Sequence, residues 1–335
     1  MRRVTVAGAA RGGVATAALV AFPFVFSTPY LMTIGLFTVM YMALATAWNL
    51  LGGFSGYLSL GHAAFFGIGA YAEAITFTHI GIGGGYRPFA LLPVIGVGVA
   101  LASVPIGVVA LRVRAATFAI VTISMLFIVQ QLAFNLHSLT NGAQGMSMPL
   151  PPFGVDTYER PFYFCMVAVF LASLLTCWAT ATGKLGLMLF AIRDDEDRAR
   201  GLGVRTTYAK VVAFAVSAGL TAMAGGIWAY YEGFIYPQFA IDPLVTIGAV
   251  LMAFLGGRGT IWGPALGALI LVPAQQYLAY SSQLYLVAYS AVFLAVMLVM
   301  PRGIIPSARD LIAARRSPRR RPGGEPASTP SGVAT

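Results

Sequence analysis

Charged residues are scarce in this chain, and their scarcity excludes an ordinary soluble fold. Only 10% of its 335 residues are Asp, Glu, Lys or Arg, while 58% are hydrophobic and the mean hydropathy is +0.80. A typical soluble domain carries about 25% charged residues. The composition therefore predicts an all-α polytopic membrane protein, a bundle of about eight to ten transmembrane helices.

Cysteine is nearly absent as well, which limits disulfide and metal chemistry. The two cysteines, Cys165 and Cys177, fall in one predicted helix, about 18 Å apart at 1.5 Å per residue. A continuous helix would hold them too far apart for a disulfide, because bridged Cα atoms lie within about 7 Å. We expect both to be small apolar filling residues, and we expect no metal site.

The chain also lacks the motifs of soluble enzymes. It has no HExxH, no G-x-S-x-G and no Cys/His set at metal-ligand spacing. A phosphate-binding loop would need a glycine five residues before Gly183 and a Ser or Thr after Lys184, but those positions hold Trp178 and Leu185. We therefore expect that this chain is not an enzyme and binds no cofactor, and that any ATP is bound by partner subunits.

Long apolar runs are what the sequence does have. A helix needs about 20 mostly apolar residues to cross the hydrocarbon core. The first run contains Pro23 and the eighth is short, but ten runs are visible, at 13–29, 31–51, 62–80, 89–111, 115–137, 161–181, 210–231, 243–256, 261–280 and 283–300. We predict a transmembrane domain over 1–300, with an external loop at 138–160 and a polar loop at 182–210. A basic, disordered cytoplasmic tail is expected at 301–335.

The net charge of +10 would suggest nucleic acid as a partner of a soluble protein, but topology explains it here. With ten spans and a cytoplasmic N-terminus, all of the 21 Lys and Arg residues except Arg87 and Arg160 fall on the cytoplasmic side. This is the bias of the positive-inside rule, and it predicts that both termini and the polar loop are cytoplasmic. The lipid membrane is then the expected surface partner, with anionic headgroups contacting the tail.

The polar loop is the one hydrophilic stretch between the apolar runs. It can be a docking element for a partner in the cytoplasm, or a solvated connection held by its own salt bridges. Its candidate coupling residues are Arg193, Asp194, Asp195, Glu196, Arg198, Gly201 and Gly203.

A helix break is expected between Leu50 and Tyr71, where glycine and serine interrupt the apolar period. Backbone groups freed by a break must be buried in protein or face water, and discontinuous helices often line substrate paths. A tight cytoplasmic turn between two spans is the alternative. The candidate path-lining residues are Asn49, Gly53, Ser59, His62 and Glu73.

Glu73 and His62 are ionisable residues at membrane depth, which is energetically expensive. Glu73 is expected either to face the bundle interior, as a path-lining or proton-linked carboxylate, or to lie near the outer end of its span and reach water. His62 is expected to make a structural hydrogen bond near the cytoplasmic end. A further polar cluster late in the fifth run could contact substrate or cap a helix: Gln130, Gln131, Asn135 and His137.

Three stripes of small residues predict close helix packing, because small side chains let backbones approach. They occur at helical spacing or at every fourth position. Their members are Ala63, Gly67, Ala70 and Ala74, then Ala218, Ala222, Gly225 and Ala229, and then Gly259, Gly263 and Gly267.

Several blocks resemble the inner-membrane permeases of branched-chain amino acid ABC transporters, the high-affinity Leu/Ile/Val uptake systems. They cover most of residues 30–300, and the most specific is SLGHAAFFGIGAY at 59–71. The others are WNLLGG at 48–53, LTNGA at 139–143, AIRD at 191–194 with GLGV at 201–204, and GGRGTIWGP at 256–264. The acidic run at 194–197 and the Arg-rich tail depart from the family pattern.

The resemblance implies an import mechanism. A homologous second permease pairs with this one, two cytoplasmic P-loop ATPase subunits bind the loops, and an external solute-binding protein delivers the substrate. Residues 193–203 would then be the coupling segment that contacts the ATPase. Branched-chain, hydrophobic amino acids are the implied substrates, although similar permeases serve urea, short amides and aromatic acids.

Two interpretations from other classes stay open. A secondary carrier that needs no ATP would use an intramembrane carboxylate, with Glu73 or Glu232 as the candidates. A structural membrane scaffold would need only the small-residue stripes, and it has no evident need for a charged loop.

Overall fold

The computed structural model describes residues 6–26, 28–81, 83–154, 157–281, 290–291, 294 and 303–305. The helices are α1 Val6–Val25, α2 Pro29–Ser55, α3 His62–Ile75, α4 Arg87–Ala110, α5 Ala115–Asn135, α6 His137–Thr140, α7 Glu159–Thr182, α8 Lys184–Asp194, α9 Glu196–Gly201, α10 Thr206–Glu232, α11 Pro237–Ala240, α12 Pro243–Gly256 and α13 Gly263–Ser281. A π-helix, Thr76–Ile80, extends α3, and residues Gly142–Gln144 form a 3-10 turn. The strands β1, Met146–Ser147, and β2, Phe234–Ile235, pair antiparallel.

The predicted all-α polytopic fold is confirmed. In the described part of the chain, six helical stretches are long and apolar enough to cross a membrane: Pro29–Ser55, Arg87–Ala110, Ala115–Asn135, Glu159–Thr182, Thr206–Glu232 and Pro237–Gly256. The shorter runs predicted at 62–80 and 261–280 are α3 with its π-helical extension and α13. The run predicted at 283–300 and the tail at 301–335 lie outside the described residues, apart from a few isolated positions.

The connections between helices gather at two ends of the bundle. At one end, called the loop end here, Lys210 donates hydrogen bonds to the Leu111 carbonyl after α4 and to Glu196 in α9. At the opposite end, β1 pairs with β2, and the backbone of Gly85 bonds the Tyr230 hydroxyl near the end of α10. The charge pattern predicts that the loop end is cytoplasmic.

The second small-residue stripe packs α10 tightly against α3. A Cβ added to Gly69 would overlap the backbone of Ala222, and one added to Gly225 would overlap the Phe66 carbonyl. Backbones this close gain dispersion contacts that larger side chains would prevent. The stripe on α10 therefore meets Phe66 and Gly69, which lie beside the stripe predicted on α3.

The other two stripes have different partners. Gly67 of the first stripe lies against Ile241 at the start of the α12 region, so this face of α3 packs on the segment before α12. In the third stripe, Gly263 and Gly267 pack against the backbone of α12. Gly259 does not share that helix. It has a left-handed φ of 77° in the turn before α13, a conformation that favours glycine.

Candidate functional site

The connection between α2 and α3 runs back into the bundle. Helix α2 ends at Gly56, whose φ of 77° is the left-handed conformation common at helix C-termini. Residues 56–61, the re-entrant segment, then lie along α2, because the Trp48 indole donates a hydrogen bond of 2.8 Å to the Ser59 carbonyl. Trp48 precedes the end of α2 by seven residues, about 10 Å of helix. The connection between α2 and α3 is therefore a non-helical segment that lies against the last two turns of α2.

Protein side chains satisfy the backbone groups that this break frees. The amide of Leu60 donates to the Thr122 hydroxyl of α5 at 3.0 Å, and the amide of Ala63 donates to the Thr246 hydroxyl of α12 at 2.7 Å. Lipid could satisfy neither group. The re-entrant segment is thereby fixed to two other helices.

His62 connects the re-entrant segment to α10 and α2, as the predicted structural hydrogen bond requires. Its Nδ1 lies 3.0 Å from the Ser59 hydroxyl and its Nε2 lies 2.6 Å from the Ser217 hydroxyl. Ser217 in turn donates to the Ala47 carbonyl at 2.7 Å. Because Ser217 uses its proton on Ala47, it accepts from His62, so the ring carries a proton on Nε2.

The end of α2 also holds the turn at 257–262. The Asn49 side-chain amide donates to the Thr260 carbonyl at 2.9 Å, and its oxygen accepts from the Gly259 amide at 2.8 Å. Gly53 lies so close to this turn that an added Cβ would come within 2.7 Å of the Gly259 nitrogen. Asn49, Gly53, Ser59 and His62 are all buried contacts between elements in this structure.

Arg193, at the end of α8, reaches from the polar loop to the same place. Its guanidinium donates to the Gly53 carbonyl at 3.0 Å and lies beside Gly259. Burial, together with the positive charge of Arg193, lowers the pKa of Arg258 in the adjoining turn. The polar loop is therefore tied to the C-terminus of α2 by a cationic side chain, which suits the partial negative charge of a helix end.

Glu196, at the start of α9, makes the second tie. The Lys210 ammonium lies 2.7 Å from its carboxylate and 3.0 Å from the Tyr57 hydroxyl, and Tyr57 also donates a hydrogen bond to Glu196. The Lys210 nitrogen lies 4.3 Å from the centre of the Tyr57 ring and also donates to the Leu111 carbonyl. Only 2% of the Lys210 side chain is exposed. We call Tyr57, Glu196 and Lys210 the buried triad.

Contacts within the buried triad shift the pKa values of Glu196 and Tyr57, the two members that lie outside the membrane spans. Burial works to raise the pKa of Glu196, but hydrogen bonds from Lys210 and Tyr57 and the Lys210 charge outweigh it, so the pKa is lowered. Burial and the bond to Glu196 raise the pKa of the Tyr57 hydroxyl. The carboxylate is thus charged and the phenol is protonated at neutral pH.

Other charged residues of the polar loop face outward. Asp195 caps α9 by accepting from the Arg198 amide, and the two side chains form a 2.9 Å salt bridge, with 85% of the Arg198 side chain exposed. Asp194 is exposed, and Gly203 has a φ of 85° in the turn after α9. Between Gly201 and Gly203, Leu202 is 86% exposed.

A cleft of about 400 Å³ lies between the polar loop and the bundle. Both of its walls carry arginine, so it can accept acidic groups of a partner. Its charged and aromatic lining residues are Tyr57, Arg112, Arg114, Arg193, Glu196, Asp197 and Arg200.

Glu73 lies inside the bundle where α3, α4 and α10 meet. It is 1% exposed, and its carboxylate would lie 3.6 Å from a Cβ on Gly226. Neither carboxylate oxygen has a hydrogen-bond partner among the residues that the structure describes. The expectation that Glu73 reaches water at the end of its helix is wrong, since α4 and α10 cover it.

The polar cluster late in α5 divides between two roles. Gln130 donates to the Ile241 carbonyl at 3.0 Å, and Asn135 donates back to the Gln131 carbonyl within its own helix. His137 instead lines a cleft of about 460 Å³ at the opposite end of the bundle. Further polar residues around it are Thr78, His79, Ser138, Asn141, Gln144 and Ser147.

Sequence reasoning missed three residues of the site. Lys210 was counted only as a loop charge, although a lysine opening a long apolar run could have been flagged as a candidate buried cation. Tyr57 and Ser217 carry no such signal, because their partners lie 139 and 155 residues away along the chain.

Comparisons with known proteins agree with this architecture. The family model "Branched-chain amino acid transport system / permease component" matches residues 30–301. The high-affinity branched-chain amino acid transport system permease proteins LivM of Salmonella typhimurium and Escherichia coli are each 29% identical over 317 residues, covering 87% of this chain and 73% of theirs.

A second group of relatives matches over a shorter stretch. The autoinducer 2 import system permease protein LsrC of Salmonella paratyphi B is 32% identical over 128 residues, which are 36% of this chain and 37% of the relative. No solved structure matches the chain. Since the family model spans nearly the whole helical bundle, this multi-pass membrane protein belongs to the permease components of branched-chain amino acid transport systems.

Proposed function

We propose that this chain is a permease subunit of an ATP-binding-cassette importer for branched-chain, hydrophobic amino acids. It pairs with a homologous second permease, two cytoplasmic P-loop ATPase subunits drive it, and an external solute-binding protein feeds it. The family assignment and the names of the LivM relatives support the substrate class. The chain carries no phosphate-binding loop of its own, so the ATP-dependent step belongs to the partner subunits.

The observation that carries the proposal is the outward side of the polar loop. Leu202 directly follows α9, and this large apolar side chain is 86% exposed next to the charged residues of that helix. An apolar residue held out between Gly201 and Gly203 gains nothing from water, but it can fill a pocket on a partner. The arginine-lined cleft beside it offers ion pairs at the rim of the same contact.

Co-purification tests the docking surface. We expect the tagged wild-type chain to bring down a second polytopic permease and an ATPase with a P-loop. Leu202→Asp should remove the ATPase and retain the second permease. The matched control is Leu150→Asp, because Leu150 is 83% exposed at the opposite end of the bundle and should keep both partners. Equal ATPase recovery with both variants would exclude Leu202 from the docking contact.

Uptake by the reconstituted complex tests the substrate. Proteoliposomes that contain ATP, both permeases and the ATPases should accumulate leucine, isoleucine and valine when the binding protein is supplied outside. Urea, a short amide and an aromatic acid serve as competitors, and accumulation of one of these in place of leucine would reassign the substrate. Transport by the chain alone without ATP would make it a secondary carrier.

A further inference from the structure

We propose that the buried triad of Tyr57, Glu196 and Lys210 is the link through which the polar loop controls the re-entrant segment, and so couples ATP hydrolysis to substrate movement. The inference rests on the proposed function, and it assigns a positioning role to three residues that do not touch substrate. This positioning role differs from the proposed contact with the ATPase, because the triad lies on the inward side of α9 while Leu202 lies on its outward side.

The triad joins the polar loop to the re-entrant segment and to α10. Glu196 is the first residue of α9, and Tyr57 is the second residue of the re-entrant segment. Lys210, in the first two turns of α10, binds both of them and the Leu111 carbonyl at the end of α4. A displacement of α9 therefore cannot occur without stretching or breaking a contact to Tyr57 or Lys210.

The re-entrant segment passes the displacement to the centre of the bundle. Two residues after Tyr57, Ser59 is bonded through its carbonyl to Trp48 and through its hydroxyl to His62. His62 begins α3, the short helix that packs closely on α10. Only two peptide units separate Tyr57 of the triad from Ser59, whose hydrogen bonds fix the start of α3, so a displacement of Tyr57 reaches these bonds over a short path.

Because Lys210 is buried, we expect its contact with Glu196 to be either fully formed or fully replaced, without intermediate states. The Lys210 side chain is 2% exposed and that of Glu196 is 19% exposed, so separating them without a new partner would leave a buried charge unpaired. Such a pair favours either the closed arrangement or one in which both groups have new partners. The Asp195–Arg198 pair, on the same loop, is 40% and 85% exposed and can open into water at little cost.

The test measures ATP hydrolysed per amino acid imported by the full complex in proteoliposomes, with the binding protein supplied. Glu196→Gln alone should lower the folded yield, because it removes the ionic partner of the Lys210 ammonium, whose side chain is only 2% exposed. Glu196→Gln combined with Lys210→Met should recover the yield, since replacing both partners of a buried pair is often neutral. The double variant should still hydrolyse ATP but raise the ATP-to-substrate ratio about tenfold.

Tyr57→Phe is the gentler variant, because it keeps the ion pair and removes only the hydroxyl that joins it to the re-entrant segment. We expect about a threefold rise in the same ratio, with normal folded yield. Tyr158→Phe is the matched control, because it also removes a tyrosine hydroxyl that bonds another helix, here the Tyr231 carbonyl of α10 at 2.9 Å at the opposite end of the bundle. Its ratio should stay within about twofold of wild type.

The outcomes separate the link from the function on which it rests. A double variant and a Tyr57→Phe variant that both couple normally would overturn the link while leaving the importer intact. Loss of ATPase from the purified double variant would place the triad in docking, which also contradicts the proposal. If the wild-type complex contains no ATPase or imports without ATP, the proposed function itself fails.

Discussion

Helices α10 and α4 pack against each other, but the more hydrophobic of the two is the less buried. The mean hydropathy of α4 is 2.3 and 22% of its span is buried inside the protein, whereas α10 has a mean hydropathy of 1.7 and is 72% buried. In water the order would be reversed, because apolar surface is driven inside. In lipid, an apolar surface costs nothing, and helices associate through small residues and hydrogen bonds.

Each helix carries a glycine and a serine whose surroundings differ from those of their counterparts in the other helix. Gly225 of α10 lies against the Phe66 carbonyl, while Gly98 of α4 has open space where its side chain would be. Ser217 of α10 bonds His62 and Ala47, while Ser103 of α4 bonds only the Ala100 carbonyl of its own helix. These matched pairs make the comparison testable.

The largest effect is expected from glycine replacement. Gly225→Ala would force a Cβ into the Phe66 carbonyl and separate α10 from α3, with a cost of about 1–3 kcal/mol or more for overpacking. Gly98→Ala should be neutral or stabilise by up to about 1 kcal/mol through helix propensity. Thermal unfolding in detergent, followed by size-exclusion chromatography, measures both, and equal behaviour of the two variants would refute the packing asymmetry.

Serine replacement should give the next largest effect. Ser217→Ala removes the acceptor of the His62 Nε2 proton in a buried site, which costs about 1–3 kcal/mol for the unpaired group. Ser103→Ala removes a bond within one helix turn and should cost less than about 0.5 kcal/mol. The midpoint of thermal unfolding compares them, and a Ser103 loss as large as that of Ser217 would contradict the assignment of α10 as the connecting helix.

Acidic pH is expected to have a smaller effect. At the loop end, α10 is held by the ion pair of Lys210 with Glu196, whereas α4 contributes the Leu111 carbonyl, which does not titrate. The pKa of Glu196 is lower in the folded protein than the ordinary value near 4.3, so its stabilisation is present above that value and is lost as pH falls through the folded pKa. The wild type should therefore lose more thermal stability between about pH 5 and pH 3 than Glu196→Gln does. Parallel pH curves for the two proteins would count against the ion pair.

The smallest effect is expected at Glu73, which lies where α4 and α10 meet on α3. An unpaired carboxylate would be costly there, so the neutral Glu73→Gln should fold normally and keep uptake within about twofold of wild type. Glu232→Gln, at the exposed end of α10, tests the other candidate carboxylate in the same assay. Loss of proton-dependent uptake in either variant would favour the secondary carrier over the importer.

The sequence predicted the helices well because each span is encoded locally. Apolar length places α4, α5, α7 and α10 within a few residues of their observed bounds, since a helix satisfies its own backbone wherever the solvent is lipid. Glycine and serine also marked the break near Gly56. The contacts that hold the residues after this break come from Trp48 and Thr122, whose role no local pattern shows.

The sequence located the polar loop of the candidate site, but it did not show which residues connect that loop to the helical bundle. The predicted residues Arg193 and Glu196 do tie the polar loop to the bundle, whereas Asp194 and Arg198 of the same set face outward. Tyr57 and Lys210 were missed, because their roles depend on partners brought together from distant parts of the chain.

By itself, the sequence determined that this is a helical membrane protein, the approximate bounds of most of its spans, its family and the position of its polar loop. These follow from hydropathy and from local motifs that need no partner elsewhere in the chain. Only the tertiary structure decided which apolar helices are buried in the bundle and which are exposed on its surface, that Glu73 is enclosed, and that Tyr57, Glu196 and Lys210 meet. The physical reason is that lipid treats a buried and an exposed apolar helix alike, so close packing and paired polar groups, which are long-range properties, select the arrangement.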